Sequence, residues 1–371
     1  MRKSNLFILC LLLSTAMFGQ DTGTGNRNLL NHYPLPKVDK RTELLSIVFR
    51  LAGNPEYNDD VYRKYVSDIH SHFDPYKDHP LIAFAIELRD KKGVSFDAVM
   101  AMAIHLEQPP SLNPVIPFSS TVPEGRWGQD NANKFVGLLK QFYTDARCEE
   151  FFKEQEELYG RAEEKFMPVY QALDINWYNQ YYGVQPQGNL NVIIGLGLGG
   201  NNYGPKLIYP DGKEDTYAIM GTWSIDISNT PFYPVDNYLP TLIHEFNHSY
   251  VNHLIKKYEK DFDASGTSLF SIVKVNMGHY TRWQIMMNEA LVRASVIRYL
   301  LKHQPDGKAA RYQLISDFGR GFFWMKSLVE SLGVYEKNRN AYPTLESYMP
   351  ALITFYNEKA KETELMFEIK E

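Results

Sequence analysis

The chain has 371 residues, with 39 basic and 44 acidic side chains and a formal net charge of −5. A hydrophobic fraction of 44% with 14% aromatic residues is typical of a globular protein and excludes a disordered chain. Binding to nucleic acid requires clustered Lys and Arg side chains that neutralise phosphates, and the sequence has no such cluster. We therefore exclude nucleic acid as a partner.

The first 19 residues have the features of a secretory signal peptide. Arg2 and Lys3 precede an apolar run over residues 6–13, and small residues follow up to Gly19. The run is shorter than the roughly 20 apolar residues that span a membrane, although an uncleaved signal acting as an anchor is the alternative. We expect an exported protein, secreted or periplasmic, without stable membrane insertion.

Removal of this segment changes both the charge and the cysteine count. The mature chain would have 37 bases and 44 acids, a net charge of −7, and Cys148 as its single cysteine. An intrachain disulfide is then excluded. The exported protein must depend for its stability on its core or on another element such as a metal.

Helical periodicity dominates residues 41–171, the predicted helical N-terminal part. Apolar residues recur at helical spacing over 44–51, 81–88 and 135–142, and the charged stretch 149–164 predicts one further helix with an exposed acidic face. Residues 20–40, which contain Gly, Asn, Pro and Thr, predict a flexible lead-in.

A different pattern begins in the second part, residues 172–371, which we predict to be the catalytic part. Runs rich in β-branched and aromatic residues predict strands at 190–194, 206–209, 216–220 and 222–227, with a turn at 210–212. Helical periodicity returns after Asp236. This order of helices, strands and helices predicts an α+β fold, mainly helical, with a small antiparallel sheet before the helix that follows.

Gly195, Gly197 and Gly200 match the G-x-G-x-x-G pattern of dinucleotide-binding proteins, but their context differs. That pattern requires a helix to begin on the glycines and to hold the pyrophosphate at its N-terminus. Here Asn201 and Pro205 lead towards another predicted strand. We interpret the glycines as the end of a flexible or bulged strand.

His244, Glu245 and His248 form an H-E-x-x-H motif. Two imidazoles four residues apart lie one turn apart on a helix, so that both can bind one Zn²⁺ while the intervening Glu acts on the attacking water. The apolar residues of this helix fall on a separate stripe, which leaves the histidines free to bind. We expect Asp236 to cap the helix and Pro240 to lie in its first turn.

Glu289 is the predicted third metal ligand, because catalytic zinc sites usually have three protein ligands. In the predicted helix over 282–301 it lies away from the polar face, and Glu is rarely buried without a partner. The alternative is a salt bridge to Arg293 or Arg282.

The other histidines are not assigned to a site. His253 falls in the apolar stripe of the motif helix, which favours a structural role. His70, His72 and His79 lie among Asp, Pro and Lys residues and are better interpreted as part of a solvated polar connection.

The strings His244–His248 and Asn288-Glu289-Ala290 resemble the gluzincin metallopeptidases, the thermolysin-like branch of the zincins. The wider strings 244–252 and 288–294 are more similar to a family of secreted bacterial proteins of unassigned function, over most of residues 40 to 360. The gluzincin resemblance implies a zincin-like fold, zinc bound by His244, His248 and Glu289, and Glu245 as general base. It makes Tyr280 a candidate for stabilising the oxyanion, although an ordinary aromatic near a helix start is an equal alternative.

Two features depart from the thermolysin pattern. The spacer between His248 and Glu289 is longer, and Arg293 stands where thermolysin has an Asp four residues after the third ligand. The groups that orient the zinc ligands must therefore differ. The metzincin pattern is excluded more clearly, because the required Gly and His do not follow His248.

These features predict a secreted zinc metallopeptidase acting on a peptide or protein, with a substrate edge at the predicted strand 222–227. One alternative is a binding or structural protein in which zinc only holds two helices together. Another is a glycoside hydrolase that uses Glu245 and Glu289, which would leave the two histidines unexplained.

Overall fold

The computed structural model describes residues 33–185, 188–275, 277 and 280–367. The predicted signal peptide and most of the predicted lead-in lie outside these residues. Within them the protein is α+β and mainly helical, as predicted. No helix in this part of the chain combines the length and the apolar character that crossing a membrane demands.

Helices fill the first half of the described chain. They span Lys40–Leu51, Arg63–Phe73, Pro80–Lys92, Asp97–Ile104, Gln129–Asp145, Cys148–Glu154, Glu156–Gln171 and Ile175–Tyr182. The helices predicted around 44–51, 81–88 and 135–142 are confirmed. The single helix predicted over 149–164 is wrong, because two helices meet at Gln155. The break lets apolar side chains on both sides of it, Phe151 and Leu158 among them, reach the core.

A four-stranded mixed sheet lies between the two helical halves. Its strands are β1 (Lys37–Val38), β2 (Leu190–Gly195), β3 (Lys206–Ile208) and β4 (Glu214–Gly221), in the order β1-β2-β4-β3. β1 is parallel to β2, β2 is parallel to β4, and only β3 and β4 are antiparallel. The prediction of an antiparallel sheet is therefore wrong for two of its three pairings.

The connections explain this topology. β1 comes from the predicted lead-in, so the helices between residues 40 and 182 form the crossover to β2, and parallel neighbours need such a crossover. After β2 a 3-10 turn at Leu196–Leu198 and the glycine-rich segment carry the chain to the far edge of the sheet. Only β3 and β4 are joined by a tight turn, where Gly212 has φ +86°. The predicted turn at 210–212 is confirmed.

Residues 222–227 do not form the predicted strand. The Trp223 amide donates to the Tyr238 hydroxyl, and the Asp226 carboxylate accepts from the amides of Ser228 and Thr230. These side chains provide partners for a turn, which competes with strand pairing. The substrate edge predicted at 222–227 is therefore wrong.

Helices follow the sheet to the end of the described chain, and three of them form the site. We name them the motif helix (Val235–Lys257), the ligand helix (Trp283–His303) and the cleft helix (Lys308–Gly319). The others span Glu259–Val273, Met325–Lys337 and Leu345–Phe367. The start of the motif helix differs from the prediction: Pro234 is the N-cap, Asp236 lies in the first turn, and Pro240 is inside the helix.

The motif helix is held by its apolar stripe. Leu242, Ile243 and Phe246 are completely buried, and Leu239, Tyr250 and Leu254 are nearly so, as the periodicity predicts. Burial of each large apolar side chain contributes about 1.5–3 kcal/mol. The stripe belongs to one contiguous core that includes residues from both predicted parts of the chain. The division at residues 171 and 172 stays a prediction.

Candidate metal centre

The two histidines of the motif lie one helical turn apart on the side of the motif helix that is not part of the apolar stripe. Their Nε2 atoms are 3.1 Å apart, and the side chains are 16% and 17% exposed. Two ring nitrogens at this distance face a common point. The helix period thus places two potential metal ligands together from residues four apart.

Glu289 completes the cluster from the ligand helix. Its Oε2 lies 3.6 Å from His244 Nε2, and its Oε1 lies 3.4 Å from His248 Nε2. In the described chain, these three residues form the one group of His, Cys, Asp or Glu side chains whose ligand atoms could share a metal. The structure therefore brings the three predicted ligands together.

The spacing of the three side chains suits zinc. Zinc bonds to His nitrogen and carboxylate oxygen at about 2.0–2.2 Å, so neighbouring ligand atoms in a tetrahedron lie about 3.3–3.5 Å apart. The two Nε2 atoms are 3.1 Å apart, and each lies near one oxygen of the Glu289 carboxylate, at 3.6 Å for His244 and 3.4 Å for His248, which is close to this value. Two nitrogens and a carboxylate oxygen are also the donor set of catalytic zinc sites.

The protonation states favour metal binding. Burial lowers the pKa of His244 well below its usual value, and the charges of His248, Arg293 and Arg320 lower it further, against the opposing effect of Glu289. Burial alone would raise the pKa of Glu289, but His244, His248 and Arg293 hold it at about 2. At neutral pH the site therefore presents a neutral His244 imidazole and an ionised carboxylate.

Arg293 occupies the position that differs from thermolysin, and it contacts the third ligand directly. Its Nε donates to Glu289 Oε2 at 3.1 Å, and its Nη1 donates to Oδ1 of the completely buried Asp317 at 3.0 Å. The predicted alternative for Glu289, a salt bridge to Arg293, thus coexists with the histidine contacts. The guanidinium orients the Glu289 carboxylate, a role that hydrogen-bonded neighbours of metal ligands commonly have.

The histidine side of the site has its own supporting contacts. His248 Nδ1 lies 3.1 Å from Asn252 Oδ1, one turn further along the motif helix. Asn247 Nδ2 donates to the Val292 carbonyl at 3.3 Å and so connects the motif helix to the ligand helix. Asn252 is thus one of the orienting groups that the sequence alone did not identify, whereas the Asn247 side chain has no hydrogen bond to the three cluster residues in the described chain.

Glu245 lies beside the cluster with a carboxylate that is free to accept a proton. The residue is 7% exposed and lines the cleft described below, and within the described chain its carboxylate has no hydrogen bond. Burial, with a contribution from Glu289, raises its pKa to about 7. A Cβ atom on Gly204 would lie 3.2 Å from Glu245 Oε2 and 2.8 Å from its carbonyl oxygen. Glycine at 204 therefore leaves the space that Glu245 occupies.

Tyr280 reaches the cluster from the segment before the ligand helix. Its hydroxyl donates to Glu289 Oε2 at 3.4 Å. Burial and the Glu289 charge raise the pKa of Tyr280 to about 12, so the hydroxyl stays protonated at neutral pH. The ordinary-aromatic alternative does not account for this polar contact, and the predicted oxyanion role stays a prediction.

A cleft of about 1390 Å³ opens beside His244 and Glu245. The sheet side contributes Gly200 and Asn202, and the motif, ligand and cleft helices form most of the remaining lining, together with Trp223, the connection 304–306 and Arg320. Sequence reasoning missed the cleft helix as part of the site. The sequence carries no signal for it, because only the fold shows that Asp317 is buried against Arg293 of the ligand helix.

The remaining histidines lie elsewhere. His70 pairs with Asp74, His72 contacts the Ala146 carbonyl, and His79 caps the helix that begins at Pro80. His253 is exposed rather than part of the apolar stripe, so its predicted packing role is wrong, because the helix turns it towards solvent. None of the four belongs to the metal cluster.

The glycine pattern at 195–200 is not the start of a helix. β2 ends at Gly195, a 3-10 turn follows, and Tyr203 then pairs with Ile219 of β4. A helix N-terminus that could hold pyrophosphate is therefore missing there, as the sequence context indicated.

The architecture and the site together define a mainly helical α+β protein with a His-His-Glu cluster at the end of a cleft. Residues 35–355 match the model of a family described as a domain of unknown function, DUF4932, and the chain belongs to that family. No curated protein and no solved structure matches the chain.

Proposed function

We propose that the protein is a zinc-dependent peptidase that hydrolyses peptide bonds with Glu245 as general base. One arrangement carries the proposal: three zinc-ligand side chains converge next to a buried carboxylate that has no hydrogen bond in the described chain and that faces the cleft. A site that only holds helices together has no use for such a carboxylate or for an adjoining cleft. This favours catalysis over a structural zinc site.

Each residue of the site has its own role in the proposed reaction. His244, His248 and Glu289 would hold the metal. When bound, zinc supplies Lewis-acid activation of the water and of the scissile carbonyl, and its charge favours the ionised form of Glu245. Glu245 accepts the proton of the attacking water and delivers it to the leaving amine. The Tyr280 hydroxyl, kept protonated by its raised pKa, is the candidate donor to the oxyanion.

The proposal includes a zincin-like arrangement, which the order of elements supports. β4 leads, through a loop, into the motif helix, and the third ligand comes from a later helix that packs against it. The glycine-rich segment that pairs with β4 at Tyr203 lines the cleft at Gly200 and Asn202. We propose this segment, rather than residues 222–227, as the edge along which an extended peptide lies.

The proposal also includes export of the protein from the cytoplasm. We propose that residues 1–19 are removed as a signal peptide and that the mature enzyme acts outside the cytoplasm on peptides or proteins. Mass spectrometry of the protein recovered from its native host tests this step. A mature chain that begins after Ala16 or Gly19 is expected, and a chain that begins at Met1 would contradict it.

Metal analysis tests the site. Purified wild type is expected to contain about one zinc per chain, while His244→Ala and Glu289→Ala lose most of it, because two ligands hold zinc far more weakly than three. His70→Ala, outside the cluster, is the matched control and should keep its zinc. Full zinc occupancy in either ligand variant would remove that residue from the site.

Hydrolysis separates the peptidase from the structural alternative. Chelation should abolish cleavage of a peptide library, and zinc should restore it. Loss of melting temperature on chelation without any cleavage by the zinc-loaded protein would instead favour zinc that only holds the motif and ligand helices together.

A further inference from the structure

Arg320 differs from the other cationic side chains that line the cleft. Arg293 pairs with Glu289 and Asp317, and Lys308 pairs with Asp306. Arg320 is exposed, and it has no hydrogen-bonding or ion-pair partner for its side chain in the described chain. It is therefore the one cation of the described cleft lining that is free to bind a ligand.

The position of Arg320 is fixed at the metal end of the cleft. Its backbone amide donates to the carbonyls of Ser316 and Asp317, at 3.1 and 3.2 Å, and so ends the cleft helix. Asp317 in the same turn pairs with Arg293, which holds the Glu289 carboxylate. A chain of two ion pairs thus connects the turn that carries Arg320 to a predicted metal ligand.

The lining of the cleft agrees with this position. Arg320 lines the same cleft as His244, Glu245 and Arg293. The guanidinium therefore faces the space that adjoins the residues that we propose for catalysis.

The carboxylates of the site do not neutralise Arg320. Glu289 and Asp317 are paired with Arg293, and Asp306 is paired with Lys308. Asp236 lies two turns before His244 on the motif helix and has no ion pair with Arg320 in the described chain. Glu245 remains, and the proposed mechanism uses it as a base. The charges of the ion-paired groups cancel, so among the described residues Arg320 and Glu245 are the charged groups left without an ion pair there, and bound zinc would add positive charge.

We propose that Arg320 binds a carboxylate of the substrate, so that the enzyme acts on peptides that carry a carboxylate close to the cleaved bond. The inference rests on the proposed function for its substrate class. A guanidinium donates two parallel hydrogen bonds to a carboxylate, which fixes the orientation of the bound group as well as its position. The carboxylate is either the free C-terminus of a short peptide or the side chain of an Asp or Glu.

The cleft also provides apolar contact surface for the remainder of such a peptide. Val296 and Leu300 of the ligand helix line it, as do the exposed Tyr312 of the cleft helix and Trp223, which stacks on Tyr238. A peptide with apolar side chains and one carboxylate matches this lining. This composition defines the probes for the test.

Binding is measured by calorimetry with zinc-loaded protein that carries Glu245→Gln, so that hydrolysis does not interfere. The probes are Ac-Ala-Phe-Leu-Ala-Ala as the free acid, the same peptide as its amide, and an amide in which the last alanine is replaced by glutamate. Adding Arg320→Gln should weaken binding of the carboxylate peptides roughly 10- to 100-fold, and binding of the plain amide should not change. Arg311→Gln, on the same helix but outside the cleft lining, is the control and should leave all three affinities unchanged.

The arms of the experiment identify the source of the carboxylate. An effect confined to the free acid assigns the C-terminus, and an effect confined to the glutamate peptide assigns an acidic side chain. Equal losses for all three peptides, no loss for any of them, or no binding of any probe would overturn the proposal. The calorimetric readout does not depend on turnover. A protein that binds the carboxylate peptides through Arg320 but hydrolyses nothing refutes the peptidase alone, and an active enzyme with equal kcat/KM for all three peptides refutes the role of Arg320 alone.

Discussion

Removal of the Arg293 charge should affect both the fold and the metal site. Asp317 is completely buried, and its partners in the described chain are Arg293 and Gln313. Arg293→Gln leaves this carboxylate without a cation, and breaking a buried ion pair in this way costs about 3–5 kcal/mol. Urea denaturation of the chelated protein measures the loss without a contribution from zinc.

A double-mutant cycle isolates the pair. Asp317→Asn removes the charge that Arg293→Gln leaves uncompensated, so the double variant should be about 1–3 kcal/mol more stable than the sum of the two single losses. Additive losses, or a cost below about 1 kcal/mol for Arg293→Gln, would refute the claim that this buried pair holds the cleft helix on the ligand helix.

Zinc affinity provides the second readout of the same substitution. Because Arg293 also donates to Glu289 Oε2, its loss should weaken zinc binding roughly 10- to 100-fold in a chelator competition. Arg298→Gln is the matched control, since Arg298 lies on the same helix but pairs with Glu336 away from the cluster. Equal losses of zinc affinity in the two variants would show that Arg293 acts through general stability.

Two further predictions concern the segment before β3 and the buried acid at Glu43. Gly204→Ala should reduce hydrolysis with little loss of zinc, because its Cβ would press on Glu245; Gly160→Ala, in open space, should leave activity unchanged, and equal activities would contradict this reason. Burial raises the pKa of Glu43 to about 7 from 4.5. The folded state therefore binds the extra proton, and stability falls as pH rises from about 4.5 to 7, by at most about 3 kcal/mol. Glu43→Gln should lose this slope in urea denaturation at pH 5 and 8, and parallel curves for the two proteins would contradict it.

The cluster of His244, His248 and Glu289 could be predicted because it depends on local geometry and on burial. The period of an α-helix places His244 and His248 together whatever the rest of the fold does. Glu289 follows from a similar rule, since a carboxylate on the buried side of a helix needs a cationic partner. In the structure Glu289 contacts both Arg293 and the histidines. The sequence spacing alone could not decide between these two kinds of partner.

The sheet order and the cleft depend on contacts between residues far apart in sequence. β1 and β2 are more than 150 residues apart in the sequence, and no local pattern at Lys37 and Val38 predicts that they pair. Asp317 forms an ion pair with Arg293 from a separate helix. At Asp226 the hydrogen bonds of a turn replace the strand that the residue types favour. Residue propensity predicts the secondary structure of each segment in isolation. In these three cases tertiary contacts determine the structure instead.

The rate of peptide hydrolysis by wild type and by Glu245→Gln at equal zinc occupancy tests the central claim most directly. General base catalysis contributes about 10²- to 10⁴-fold, and glutamine retains the shape of Glu245 without its ability to accept a proton. We predict a decrease in kcat of at least about 100-fold with zinc content unchanged. Equal rates for the two proteins, or no cleavage by zinc-loaded wild type, would contradict the account.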